Sequence, residues 1–124
     1  ALVGTTVAGD HEGMDEAAMM QTWMEYGSPN EHHAKMAKMV GAWDIAGTSW
    51  EYEGAEPMTS VMTSTFTPVL DGRYFVEEVE GSIDMNGQKM PFQGRNLCGY
   101  DNLKKKYFFV WVDSWMPGFI TGEG

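Results

Sequence analysis

The chain has 124 residues, enough for one domain with its own core, and 18 acidic against 8 basic residues leave a formal net charge of −10. That balance repels phosphate backbones and anionic lipid, so nucleic acid is excluded as an expected partner. The lone Cys98 excludes an intrachain disulfide and a cysteine-based zinc motif, and no stretch of the chain is apolar for the length a membrane span needs.

The first 13 residues, small and apolar and then abruptly polar, read as a flexible segment or the remnant of a secretory signal, with Thr6-Val7-Ala8 resembling a cleavage site. Export to the periplasm or beyond is the expected localisation, the cytoplasm the alternative. Residues 14–124 form the domain. Asp15 opens a first helix on which Met20, Trp23 and Met24 share one face, and Gly27 ends it. Ser28-Pro29 with Glu31 reads as a capping box for a second helix that Gly41 stops. His33, Met36, Ala37 and Val40 line one stripe of it, and both helices are expected to pack against the strands that come after them. The eleven methionines suit core filling or an adaptable contact face.

From Trp43 the apolar period changes to two, the signature of strands. Strands are expected at 43–53, 58–69, 73–83, 89–100 and 107–115, with a sixth beginning at Phe119. Gly54-Ala55-Glu56-Pro57, Asp71-Gly72, Asn86-Gly87, Asp101-Asn102 with its lysine run, and Met116-Pro117-Gly118 supply the turns. The fold class is therefore mainly β: two short helices, then an antiparallel up-and-down meander that curls toward a barrel.

Glu31-His32-His33 running into Gly41-Ala42-Trp43 resembles the opening of the DUF1579 family, bacterial proteins of unknown function. So do Leu70-Asp71-Gly72-Arg73-Tyr74-Phe75 with Glu77-Glu78, Met90-Pro91-Phe92-Gln93-Gly94, Gly99-Tyr100-Asp101-Asn102, Lys105-Lys106-Tyr107 and Trp111-Val112-Asp113-Ser114. The resemblance implies a lipocalin-like barrel of the calycin type, in which the Gly-x-Trp residue Trp43 plugs one end. The family continues into further strands, so the barrel is expected to be incomplete in these 124 residues.

No nucleophile elbow, phosphate loop or dinucleotide fingerprint is present, and adjacent Glu77 and Glu78 alternate faces of a strand, so no enzyme is expected. His32 and His33 project about 100° apart on a helix, which does not suit one metal; His33 is expected to pack and His32 to face solvent or cap a carbonyl. No metal or other cofactor is expected, and Cys98 reads as a buried, inert thiol. Arg73, Glu77, Arg95, Trp111 and Asp113 combine charge with aromatic surface and are the candidate ligand-binding residues, an inward acid needing a partner such as Arg73 or Arg95. The leading functional reading is a non-enzymatic binder of a small apolar or amphipathic ligand. The alternative is an accessory subunit, whose open strand edge and Met-rich helices are covered by a protein partner or another copy of the chain. A lipocalin-fold enzyme or a haem or metal binder using His32 or His33 is a third reading.

Overall fold

A computed structural model of the chain describes residues 15–124; the 1–13 segment, with Thr6-Val7-Ala8, lies outside them. A helical arm, α1 (Glu16–Gly27) and α2 (Glu31–Ala37), precedes β1 (Gly41–Ser49), β2 (Met58–Val69), β3 (Tyr74–Met85), β4 (Gln88–Asp101), β5 (Lys106–Asp113) and β6 (Ile120–Glu123). The six strands form one antiparallel sheet in chain order. Its ends do not meet: β1 and β6 each keep one unpaired edge among the described residues, so the sheet is open. No described helix is long and apolar enough to cross a membrane.

Asp15 caps α1 as its side chain predicts, accepting from the Ala18 N–H at 2.7 Å. The second cap falls two residues later than Ser28. Asn30 accepts from the His32 N–H at 2.9 Å, and its own N–H donates to His33 Nδ1 at 3.0 Å. His33 thus takes the place a glutamate holds in the usual box, and Ser28 instead closes α1, its N–H donating to the Glu25 carbonyl. The second helix also ends earlier than expected, at Ala37. Gly41 begins β1 with φ +142°, a conformation that favours glycine.

The hairpin signals act as their chemistry requires. Asn86 and Gly87 take φ +55° and +81° in a two-residue turn, the form whose twist matches the flanking strands. At the preceding turn Leu70, Asp71 and Gly72 all have positive φ. β1 ends at Ser49, short of the expected Glu53, and 50–57 is a loop.

Directly opposed residues in a ladder share a face, so the register assigns every strand residue. All buried side chains of the sheet, Ser64, Phe66, Phe75, Val79 and Cys98, lie on one side, the inner face. Phe66 stacks on Phe75 with ring centres 5.3 Å apart, and Cys98 and Met36 of α2 complete the core. That core sits at the end of the sheet where α2 docks. Burial there pushes the Cys98 thiol up to about 11, with nearby Glu77 adding to the effect, which leaves the group protonated and unreactive.

The helical arm is only half docked. His33 is buried, whereas α1 buries no residue and leaves Met20, Trp23 and Met24 mostly exposed. The expected packing of both helices therefore holds for α2 alone. Polar bonds hold the joint between them: Arg73 Nε donates to the Gly27 carbonyl at 2.7 Å, and Asn102 Nδ2 donates to those of Tyr26 and Ser28 at 2.7 and 3.0 Å.

Candidate functional site

The inner face beyond the Phe66–Phe75 core is aromatic with a polar centre. Trp43 and Ile45 of β1, Phe92 of β4, Phe109 and Trp111 of β5 and Ile120 of β6 all lie on it by register. Trp43, Ile45, Phe109 and Ile120 keep 53%, 37%, 39% and 47% of their surface exposed, so the face is accessible. Glycines on the same face let rings and backbone approach closely. A Cβ on Gly94 would meet the Trp111 ring, one on Gly122 would meet Phe109, and one on Gly81 would meet the β2 backbone. The Trp111 ring thus lies flat over β4, stacked beside Phe92.

Glu77 is at the centre of this face. Ser64 Oγ donates to its Oε1 at 2.8 Å, and Asn96 Nδ2 makes a longer 3.5 Å bond to its Oε2. Ser64 is buried, and Asn96 Oδ1 is shielded from solvent without a donor. An acceptor left so costs roughly 1–3 kcal/mol. Asp113, on the same face, is already committed. Its Oδ2 accepts from Trp111 Nε1 at 2.9 Å and its Oδ1 from the N–H groups of Trp115 and Met116. The indole bond, the larger cause, and those backbone bonds hold its carboxyl below the usual aspartate range.

The two candidate arginines lie elsewhere. Arg95 is on the outer face, where it pairs with Glu78 at 3.2 Å. Arg73 is in the β2–β3 turn, reaching the helical joint. Neither neutralises Glu77 or Asp113, whose partners are instead hydroxyl, amide, indole and backbone donors. The five candidates therefore divide, with Glu77, Trp111 and Asp113 together on the inner face and the arginines apart from them. Trp43 is on the inner face too, but half-exposed. Its indole N–H donates to the Met39 carbonyl at 2.9 Å and ties β1 to the helix exit.

His32 does not face solvent. It stacks on Tyr100 with ring centres 3.9 Å apart, and its Nδ1 is 2.8 Å from the Tyr107 hydroxyl. The histidine pair is thus built into the helix dock, and no group of three His, Cys, Asp or Glu suited to a metal exists among the described residues. Several hollows lie away from the inner-face cluster, among them the following two. A cleft of about 520 Å³ separates the helical joint from the β4–β5 turn, between Trp23, Arg73, Tyr74 and Phe108. A groove of about 360 Å³ on the outer face runs between Thr63, Glu78, Arg95 and Val112, strand side chains open to solvent.

An open antiparallel meander with an aromatic inner face and a central acid defines a β-sheet protein with no recognisable catalytic set among the described residues. Residues 28–124 match the family described as Protein of unknown function (DUF1579), and the chain belongs to that family. Neither the curated proteins nor the solved structures give a match to the chain. The match begins at the α1–α2 joint and takes in the whole sheet.

Proposed function

We propose that the protein is a non-enzymatic, lipocalin-like binder that takes a small amphipathic ligand on the inner face of its sheet. The observation that carries this reading is the pairing of accessible Trp43, Ile45, Phe109 and Ile120 with the Ser64–Glu77–Asn96 group at their centre. Apolar walls around a few converging polar groups are the usual composition of a small-molecule site. Titration with a neutral apolar dye such as Nile red tests it. The dye binds saturably and quenches tryptophan emission, and Phe109→Ser weakens binding roughly tenfold through the lost aromatic surface. Val112→Ser, on the outer face, leaves it unchanged. Equal affinities in both variants, or no saturable binding, would count against the inner face.

A second reading is favoured by the unpaired edges of β1 and β6 together with the bare Met20-Trp23-Met24 face of α1. A protein partner that adds a strand to either edge would make this chain an accessory subunit. Light scattering of the purified chain distinguishes self-association, seen as a concentration-dependent mass, from a monomer.

A further inference from the structure

We infer that the inner-face ligand is an amphipathic cation, an amine with an apolar body, whose ammonium N–H groups donate to Glu77; this rests on the binding reading above. Charge is unevenly placed across the two faces of the sheet. All eight basic residues of the chain lie off the inner face: Lys35 and Lys38 are on or beside α2, Arg73, Lys104 and Lys105 are in turns, and Lys89, Arg95 and Lys106 are on the outer face by register. Among the described residues the inner face holds two acids, Glu77 and Asp113, and no lysine or arginine. Asp113 is spent on Trp111 and the backbone beyond it, whereas Glu77 has one firm donor and one long contact.

The polar centre is short of donors. Glu77 Oε2 has only the 3.5 Å bond from Asn96, and Asn96 Oδ1 has none. Asn96 bridges to Glu77 through its amide, so its free oxygen lies within the same group. A hydroxyl could satisfy one of these oxygens, and a carboxylate ligand would meet only acceptors and a like charge. A protonated primary amine carries three donors and the opposite charge, and charge-assisted bonds of that kind are the stronger ones. The surrounding rings favour the same ligand, since the faces of Trp and Phe attract cations.

Octylamine, octanol and octanoate share a chain and differ in headgroup, so their affinities at pH 7, read by tryptophan emission and calorimetry, isolate the headgroup preference. Octylamine is expected to bind roughly tenfold or more tightly than octanol, and octanoate the least. Glu77→Gln keeps the side chain's shape and can keep its bond from Ser64; it is expected to remove the amine's advantage, so that octylamine and octanol bind this variant with similar affinity. If octanol or octanoate binds the native protein as tightly as the amine, the cation assignment falls and the binding reading stands. If none of the three binds, both fall. The native protein alone decides between these outcomes, and a thermal melt shows whether the variant is folded.

Discussion

His33 shows how one side chain can couple the fold to proton concentration. Its Nδ1 accepts the Asn30 N–H at 3.0 Å, and the ring also hydrogen-bonds to the Tyr100 backbone. Burial, then the neighbouring charges of His32 and Arg73, push its pKa below the ordinary 6.5, while the Tyr100 carbonyl opposes them. The unfolded chain therefore takes up the proton first as pH falls. Stability from neutral His33 is full above 6.5 and declines as pH drops below it toward the folded-state value. Denaturant titrations at pH 7.5 and 5.5 should show a lower midpoint at the acid pH, and His33→Gln should flatten the difference. An unchanged pH dependence in that variant would assign the effect to other groups. None of this was legible from His33 as a residue type, which named it as a packing histidine; the missing information was that a histidine can close a capping box.

Among the elements, strands and turns were legible because their signals are local. Asn86-Gly87 carries its turn type in its own backbone preferences, and the strands beside it alternate cleanly. The helix start was less so, because Ser28 and Asn30 are both good caps and both are followed by a polar residue three positions on. The structure chooses Asn30, whose side chain also donates to Asn102 Oδ1 at 2.8 Å, so a contact 72 residues away tips a local competition. Asn30→Ala should accordingly cost about 1 kcal/mol, with Ser28→Ala costing clearly less, both read from urea midpoints. Equal losses would mean that the two residues share the cap. The inner-face positions of the candidate residues follow the same division. Glu77 and Trp111 were legible as aromatic-strand neighbours, but Asn96 and Ser64 were missed. Stepping equally far along both arms of the Asn86-Gly87 hairpin places Asn96 opposite Glu77, a signal available from the turn alone. Arg95 was grouped with them although alternation from Asn96 puts it on the other face.

For the whole molecule, the division that matters is between the sheet with α2 and the helix α1. The sheet is held by continuous ladders and by the Phe66, Phe75, Cys98 and Met36 core, to which α1 adds nothing, since it buries no residue. The family match likewise starts at residue 28. What ties α1 down is the hydrogen bonding of Arg73 to Gly27 and of Asn102 to Tyr26, both at exposed positions. Exposed bonds of this kind contribute about 1 kcal/mol each. A chain beginning at Ser28 keeps Asn30, His33 and the Asn102–Ser28 bond, and so keeps the cap and the dock. It should fold with an intact β-sheet circular dichroism spectrum and lose no more than about 2 kcal/mol of stability. It should also be more soluble, because Trp23, 72% exposed, and its methionine neighbours are gone. Loss of the sheet signal would show instead that α1 is integral to the domain, and that its apolar face is covered in the folded protein.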